Sequence, residues 1–206
     1  MEVVNKMAEP QNFKDKVEHA KELIKWAIEE YKRTAVACSF GKDSMVVVHL
    51  ARQVHPNIPV FSVMTQYKPR ATFEYLRRMN EQMNLGTTVY MVADSVPEVL
   101  QADGPEVRLL ATDKFNEAAA RANEHGEPIY KVDPDQCCKL LKVDPSIEAV
   151  KYLDAWFTGL RNTEGRTRKD YQEVEPDRSG PGLVKVNPIL TFTGIYGDIW
   201  LLMRFL

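Results

Sequence analysis

The six residues from position 39 to position 44 form the part of the sequence best suited to bind an anion. They read Ser39-Phe40-Gly41-Lys42-Asp43-Ser44 and lie between two apolar stretches, Ala35–Cys38 and Ser44–Gln53. A helix that begins directly after a short loop points several backbone N–H groups, and the positive end of its dipole, at one spot. Gly41 lets a ligand approach the backbone closely, the two serines offer hydroxyl groups, and Lys42 offers a cation. We therefore expect this loop to bind phosphate groups.

Asp43 is the one residue of this loop whose charge opposes an anion. Its carboxylate has two uses that are compatible with phosphate binding. It can orient the loop by accepting hydrogen bonds from backbone N–H groups, or it can help to hold Mg²⁺ when the ligand is ATP. A simpler alternative is an ordinary turn between a strand and a helix, with Asp43 or a serine as the helix cap. The loop is not a Walker A motif, because it lacks the G-x-x-x-x-G-K-S/T spacing.

Two arginines late in the sequence are candidates for the same ligand. Arg161 follows an expected strand at Asp154–Thr158, with Gly159 at the turn, and Arg168 follows a few residues later. Side chains at the carboxyl ends of parallel strands lie where α/β proteins bind ligands. Guanidinium groups form forked hydrogen bonds to phosphate and sulfate oxygens. The alternative is that both arginines are solvated loop residues.

The apolar periodicity predicts strands that alternate with helices. We expect strands at Ala35–Cys38, Pro59–Val63, Thr88–Val92, Asp154–Thr158 and Leu183–Val186. We expect helices from Asn12, as N-cap, to Tyr31, from Ser44 to Gln53, from Pro69 in the first turn to Met83, and from Asp113 to Glu124. This alternation is typical of a doubly wound α/β fold with a mostly parallel sheet. We treat residues 1–206 as a single domain and expect a mobile loop from Asn162 to Gly182.

The composition narrows the classes of partner. The chain has 206 residues and a formal net charge of −2, so we expect neither nucleic acid nor an anionic membrane as its partner. No apolar run approaches the roughly 20 residues that span a bilayer, and Met1–Glu9 lacks the apolar core of a signal peptide. The three cysteines, Cys38, Cys137 and Cys138, are a poor disulfide framework. A cytoplasmic, reducing location is therefore expected.

Residues 39–44 closely resemble the pyrophosphate-binding PP-loop, written S-G-G-x-D-S. That loop marks the adenine nucleotide α-hydrolase-like superfamily, and its S-F-G-K-D-S form is most similar to the phosphoadenosine phosphosulfate (PAPS) reductase family. The family includes PAPS reductases, adenylyl-sulfate (APS) reductases and the small subunit of sulfate adenylyltransferase. The segment Leu153–Arg161, followed by Arg168, resembles the family's D-A-W-x-T-G-x-R…R pattern. Asn187–Thr193 and Asp198–Trp200 resemble its N-P-I/L…F/W-T and D-I/V-W segments.

The resemblance assigns a role to the cysteine pair. Cys137-Cys138-Lys139 resembles the Cys-Cys pair of APS reductases, which binds a 4Fe-4S cluster together with a later C-x-x-C pair. Four thiolates are the usual requirement for such a cluster, and the second pair is absent from this sequence. Cys137 and Cys138 are thus expected either as a partial ligand set for iron or as structural thiols.

The sequence also departs from the family pattern. The reductases use a cysteine in a C-terminal E-C-G-L/I-H motif, whereas no cysteine follows Cys138 here. We expect a truncated chain, a pruned relative, or a partner that covers the apolar end at Ile199–Leu206. Val63-Met64-Thr65-Gln66 stands where reductases usually have V-D-T-G, so contacts of that segment with ribose or adenine are in doubt.

These resemblances leave three functional hypotheses. The first is a reductase that converts APS, or less favourably PAPS, to sulfite and AMP, with a thioredoxin-like reductant. The second is an ATP-dependent adenylyl-transferring enzyme like the sulfate adenylyltransferase small subunit, with Mg²⁺ as cofactor. The third is a non-catalytic nucleotide-binding relative. A homo-oligomer is compatible with each of them. Because no thiol is placed to attack sulfur, we expect this chain alone to bind nucleotide without releasing sulfite.

Overall fold

The computed structural model describes residues 12–101, 104–124, 126–164, 170–177, 180–194 and 197–204. These residues divide into two compact units. The first lies within Met1–Val60 and Tyr152–Leu206, and the second lies within Phe61–Lys151. The loop at residues 39–44 and Arg161 belong to the first unit, whereas Cys137 and Cys138 belong to the second.

The elements follow one another mainly as alternating strands and helices. The helices are α1 (Phe13–Glu30), α2 (Lys42–Val54), α3 (Arg70–Gln82), α4 (Asp113–Asn123), α5 (Ile129–Val132), α6 (Pro134–Cys138), α7 (Asp144–Val150) and α8 (Asp198–Met203). The strands are β1 (Thr34–Ala37), β2 (Val60–Thr65), β3 (Thr88–Val92), β4 (Glu106–Leu110), β5 (Ala155–Phe157), β6 (Val174–Pro176) and β7 (Val184–Val186). Short 3₁₀ turns lie at Glu98–Leu100 and Asn162–Glu164, and a π-helical turn lies at Lys139–Val143.

The strands form a seven-stranded sheet in the order β4-β3-β2-β1-β5-β7-β6. The pairs β2–β3 and β3–β4 are parallel in the second unit, and β1–β5 and β5–β7 are parallel in the first. Strands β6 and β7 pair in the antiparallel direction. The predicted α/β class with a mostly parallel sheet is confirmed.

Two helices provide much of the core of the first unit. Asn12 caps α1 by accepting a hydrogen bond from the backbone N–H of Asp15 at 3.0 Å, as predicted. One face of α1 is fully buried, and each buried Leu or Ile side chain stabilises the fold by about 1.5–3 kcal/mol. Helix α2 is buried from Ser44 to Val48 and again at Leu50 and Ala51. A helix that is apolar on nearly all sides must lie inside the protein, so its three consecutive valines remain helical despite their low helix propensity.

The second unit has a core of its own around α4. Its buried members are Val92, Phe115, Ala118, Ala122, Ile129, Cys137 and Leu141. The core links β3, α4, α5 and α6, and its burial of Cys137 fixes which thiol of the pair faces inward. No helix in the described ranges is both long and apolar enough to cross a membrane.

Several expected boundaries are corrected. Pro69 is the N-cap of α3 and not a first-turn residue, and Cys38 follows β1 instead of ending it. The stretch Asn162–Gly182, expected to be a loop throughout, contains a 3₁₀ turn and β6. This strand escaped prediction because it is only three residues long and lies in a polar context.

Strand β4 and the helical stretch from Ile129 to Val150 were not predicted. Strand β4 lies at the edge of the sheet, and its first residue, Glu106, is exposed. Arg108 donates a hydrogen bond to the Tyr90 hydroxyl at 3.2 Å, so both faces of the strand carry polar or partly exposed residues. Mixed charges of this kind discourage pairing with another chain.

Candidate functional site

The loop at residues 39–44 joins β1 to α2, and its backbone is open toward a ligand. Gly41 is the N-cap of α2, so no side chain at that position caps the helix. The N–H groups of the first helical turn can therefore bind an anion, with the helix dipole in support. Phe40 has a φ of 57°, in the left-handed region that favours glycine. This conformation accounts physically for the glycine that the PP-loop pattern has at this position.

Hydrogen bonds within the loop hold its two serines. Ser44 donates from Oγ to the Gly41 carbonyl at 3.0 Å. Ser39 and Ser44 lie 3.2 Å apart through their Oγ atoms. Ser44 is buried, whereas Ser39 is exposed. Ser44 therefore fixes the loop, and the Ser39 hydroxyl lies on its accessible side.

Asp43 is held by two cations. Arg161 donates from Nε to Asp43 Oδ1 at 3.0 Å, and Lys42 Nζ lies 3.0 Å from Oδ2. The expectation that this carboxylate accepts backbone hydrogen bonds or helps to hold Mg²⁺ stays a prediction. Both of its oxygens take part in ion pairs, one with Arg161 and one with Lys42.

Arg161 is a buried residue and not a solvated one. Only 5% of its surface is exposed, and Nη1 donates to the Thr163 hydroxyl at 2.8 Å. The ion pair with Asp43 joins two positions that lie 118 residues apart in the sequence. It brings the two predicted site motifs of the first unit together. Arg168 lies outside the described residues.

Gly159 explains how β5 approaches the loop. A Cβ atom added at this position would lie 2.8 Å from the backbone nitrogen of Ser44 and 2.9 Å from the carbonyl carbon of Asp43. Any larger residue would have to displace the first turn of α2. The glycine is therefore required by packing against the backbone of the first turn of α2.

A buried polar network lies directly behind Gly159. The Thr158 hydroxyl donates to Asn187 Oδ1 at 2.5 Å, and Asn187 Nδ2 donates to Glu175 Oε2 at 2.9 Å. Glu175 also accepts a hydrogen bond from Lys185 Nζ at 2.9 Å. All four residues are buried. The network ties β5, β6 and β7 to the residue that precedes Gly159.

Sequence reasoning did not find this network. The available signal was Lys185-Val-Asn187, two polar residues within the otherwise apolar segment Leu183–Leu190. A lysine in such a segment must find a buried partner or remain at the surface. The partner, Glu175, comes from the strand that was not predicted.

Cys38 is unsuited to act as a nucleophile. Burial raises the pKa of its thiol to about 11, with hydrogen bonds from the Phe40 backbone and to Ser44 acting in the opposite direction. A thiol is reactive as its thiolate, and a pKa of this size keeps the thiolate scarce. The expectation from the sequence is confirmed for this residue.

Cys137 and Cys138 end helix α6, which Asp133 caps by accepting a hydrogen bond from the Gln136 backbone at 2.9 Å. Cys137 is buried and Cys138 is exposed. Burial raises the pKa of the Cys137 thiol. Across the parts of the chain that the structure describes, no group of three or more His, Cys, Asp or Glu residues is arranged to hold a metal ion.

Comparison with protein families gives one match that spans most of the chain. Residues 33–204 match the model of the phosphoadenosine phosphosulfate reductase domain. Among curated relatives, the adenosine 5'-phosphosulfate reductase of Bacillus mycoides (strain KBAB4) is 27% identical over 187 residues, covering 90% of this chain and 70% of the relative. The enzyme of that name from Lysinibacillus sphaericus (strain C3-41) is 28% identical over 182 residues, covering 88% and 68%.

Solved structures show likeness in fold. Phosphoadenylyl-sulfate reductase from Candida auris, in complex with phosphate, has a TM-score of 0.65 at 16% identity and covers 90% of this chain and 78% of its own. The NH₃-dependent NAD synthetase of Campylobacter jejuni has a TM-score of 0.56 at 12% identity, and the match covers 95% of this chain and 73% of the synthetase. FMN adenylyltransferase from Candida glabrata has a TM-score of 0.58 at 10% identity, with 98% and 60% covered.

Proposed function

Because this chain belongs to the phosphoadenosine phosphosulfate reductase family, we propose that it binds adenylyl sulfate and takes part in its reduction to sulfite and AMP. The family match includes the loop at residues 39–44, Gly159 and Arg161. Relatives that align over about nine tenths of this chain carry the name adenosine 5'-phosphosulfate reductase. These names support APS over PAPS as the substrate.

The observation that carries this proposal is the uncapped first turn of α2 beside two cations. Gly41 leaves the N–H groups of that turn available, Lys42 is partly exposed, and Arg161 is anchored through Asp43. Adenylyl sulfate carries negative charge on its phosphate and on its sulfate. Backbone N–H groups and cations around one point stabilise such an anion, and they stabilise AMP still better as charge develops on the departing phosphate.

The proposed reaction has two thiol steps. A thiolate attacks the sulfate sulfur, forming an S–S bond and breaking the S–O bond to phosphate, and AMP leaves with the electron pair. A second thiolate attacks the sulfur of the thiol in that S-sulfonate, forming a disulfide and releasing sulfite with the electron pair. Sulfur(VI) is reduced to sulfur(IV) while two thiols are oxidised to one disulfide. This chain's role is to bind the nucleotide and stabilise the leaving AMP.

The attacking thiol is proposed to come from outside the three cysteines of this sequence. Cys38 and Cys137 are buried, and burial raises the pKa of both thiols. By the family resemblance, Cys138 belongs to a cluster-binding pair and not to the nucleophile motif. We propose a thioredoxin-like protein as the source of reducing thiols. Cytoplasmic location and homo-oligomer formation remain predictions.

The cysteines of this sequence do not by themselves form the ligand set of a 4Fe-4S cluster. A cluster held by cysteines requires four thiolates, and the sequence contains three cysteines, of which Cys38 is buried against the loop. No step is therefore assigned to a cluster. Mg²⁺ stays a prediction that belongs to the ATP-dependent adenylyl-transferring alternative. The named relatives favour the reductase over that alternative.

The test is a sulfite assay on the 206-residue chain with APS or PAPS, under anaerobic conditions, with thioredoxin or dithiothreitol. We expect APS to bind while the chain alone releases no sulfite, since burial raises the pKa of the Cys38 and Cys137 thiols and, by the family resemblance, Cys138 belongs to a cluster-binding pair. Steady multiple turnover that is lost when one of the three cysteines is replaced by serine would show that this cysteine is the nucleophile. Failure of APS, PAPS and AMP all to bind would refute the proposed function itself.

A further inference from the structure

Asn187 is a fully buried residue beside the strand that leads to Arg161, and both of its polar side-chain atoms have partners. Its Oδ1 accepts a hydrogen bond from the Thr158 hydroxyl at 2.5 Å. Its Nδ2 donates to the Gln172 carbonyl at 2.7 Å and to Glu175 Oε2 at 2.9 Å. Because a buried polar group that loses its partner is costly, these three hydrogen bonds fix the side chain in one orientation.

Backbone hydrogen bonds hold Thr158 to the same place. The Thr158 N–H donates to the Val186 carbonyl at 2.9 Å, and the Asn187 N–H donates to the Glu173 carbonyl at 2.7 Å. Thr158 is therefore joined to β7 and the residue after it by one backbone hydrogen bond and one side-chain hydrogen bond. Since Thr158 and Asn187 are both buried, a shift of either residue would leave polar groups without partners.

The support segment, defined here as residues 187–194, runs alongside the turn that carries Arg161. Near its middle, the Leu190 carbonyl accepts a hydrogen bond from the Asn162 N–H at 2.9 Å. At its end, a Cβ atom added at Gly194 would lie 3.4 Å from Arg161 Nη1 and 3.9 Å from Cζ. The support segment thus contacts the turn before, at and after the arginine.

Arg161 lies between two fixed points of the backbone. Its guanidinium donates from Nε to Asp43 Oδ1 at 3.0 Å and from Nη1 to the Thr163 hydroxyl at 2.8 Å. An arginine side chain loses much rotational freedom when it is held in one geometry, so this arrangement depends on a backbone that is already fixed. Thr158 and Asn162, on either side of Arg161, provide that backbone.

We propose that Thr158 and Asn187 are positioning residues for nucleotide binding, and that they act by holding Arg161 in place beside Asp43. The buried network is then a working part of the anion site, although neither side chain is assigned a contact with the ligand. The inference rests on the proposed function, because it takes Arg161 and the loop at residues 39–44 as the elements that bind phosphate.

The test removes the Thr158 hydroxyl with little change of shape and measures AMP affinity by calorimetric titration. Thr158→Val should bind AMP roughly 3- to 10-fold more weakly than the wild type, the scale of one hydrogen bond. Thr158→Ser keeps the hydroxyl and should bind AMP as the wild type does. Thr87→Val is the matched control, because Thr87 is buried and its hydroxyl has no hydrogen-bond partner among the described residues. Its AMP affinity should equal that of the wild type.

A double-mutant cycle distinguishes positioning from a purely structural role. In the Arg161→Ala background, Thr158→Val should change AMP affinity less than it does in the wild type, because its effect passes through Arg161. Urea unfolding should show that Thr158→Val lowers stability in both backgrounds. Asn187→Ala removes the acceptor of the same hydrogen bond and should weaken AMP binding at least as much as Thr158→Val. The Thr158 variants decide the question if Asn187→Ala does not fold.

Three results would each overturn the inference. One is wild-type AMP affinity in folded Thr158→Val. Another is Thr158→Ser that binds AMP as weakly as Thr158→Val. The third is an equal loss of affinity from Thr158→Val with and without Arg161. In all three the wild type still binds AMP, so the proposed function stands. A wild type that binds neither APS, PAPS nor AMP would refute the proposed function, and this inference with it.

Discussion

The backbone nitrogen of Ser44 lies so close to Gly159 that a Cβ on the glycine would be only 2.8 Å away. Gly159, two residues after β5, and the first turn of α2 are therefore in close backbone contact. These two parts of the backbone cannot move independently. This contact makes Gly159 a sensitive probe of the loop.

Gly159→Ala should displace the first turn of α2. We expect about 1–3 kcal/mol of lost stability, the usual range for an added group in a packed site, and at least a tenfold loss of affinity for AMP. Calorimetric titration and urea unfolding measure the two effects. Ile24→Val, in the core of the same unit, should cost about 0.5–1.5 kcal/mol of stability while affinity stays unchanged. Unchanged affinity in Gly159→Ala would show that the loop does not bind the nucleotide.

Arg161→Ala should weaken nucleotide binding by roughly 1.5–3 kcal/mol, the range for hydrogen bonds to charged groups. It also removes one of the two ion pairs described for Asp43, so the carboxylate repels the anion more strongly. Arg33→Ala is the control, because Arg33 is exposed and pairs with Asp154 in the same unit; we expect nucleotide affinity to stay unchanged in this variant. Equal effects of the two substitutions would contradict a ligand role for Arg161. Arg168→Ala tests the other predicted arginine in the same way.

The ion pair of Lys185 and Glu175 should be sensitive to loss of either charge. Glu175→Gln leaves a buried ammonium with only an amide oxygen, and we expect a loss of about 2–4 kcal/mol in the free energy of unfolding. The matched substitution Glu127→Gln removes an exposed partner of Lys131 and should cost less than about 0.5 kcal/mol. Urea unfolding at neutral pH measures the loss in the free energy of unfolding for each of the two variants. A loss for Glu175→Gln as small as that for Glu127→Gln would mean that water reaches Lys185.

His19 makes stability depend on pH. The hydrogen bond to Glu173, at 2.9 Å, is the main cause that raises the pKa of His19 above its ordinary 6.5. Because the pKa is higher in the folded state, the protonated imidazole stabilises the fold fully below about pH 6.5, and this contribution disappears as pH rises through the folded pKa. The stability difference between the wild type and Glu173→Gln should therefore shrink from about pH 5.5 to about pH 8. A stability difference between the wild type and Glu173→Gln that grows from about pH 5.5 to about pH 8 would contradict a raised pKa of His19 in the folded state.

The sequence predicted the buried parallel strands well because they are continuous apolar runs. Thr88–Val92 was predicted with its observed boundaries, and Asp113–Glu124 ends one residue after α4. Strand β4 and helices α5 to α7 lack such a pattern, since they are short, exposed or interrupted by proline. Their formation depends on neighbours that are distant in sequence.

The sequence identified residues of the candidate site, but it did not identify the contacts between them. The loop at residues 39–44 and Arg161 were identified from their types and from the family resemblance. The ion pair of Arg161 with Asp43 was not, because local spacing contains no information on a partner 118 residues away. The assignment of nucleotide contacts to Ser39–Ser44, Arg161 and Arg168 stays a prediction.

The most direct test of the central claim is calorimetric titration of the 206-residue chain with APS and AMP, in the wild type, Lys42→Ala and Lys32→Ala. Lys32 is an exposed lysine of the same unit, outside the loop. We predict one nucleotide per chain, affinity at least tenfold weaker in Lys42→Ala, and wild-type affinity in Lys32→Ala. Absence of binding in the wild type, or equal affinities in all three proteins, would contradict the claim that the loop of residues 39–44 binds the nucleotide.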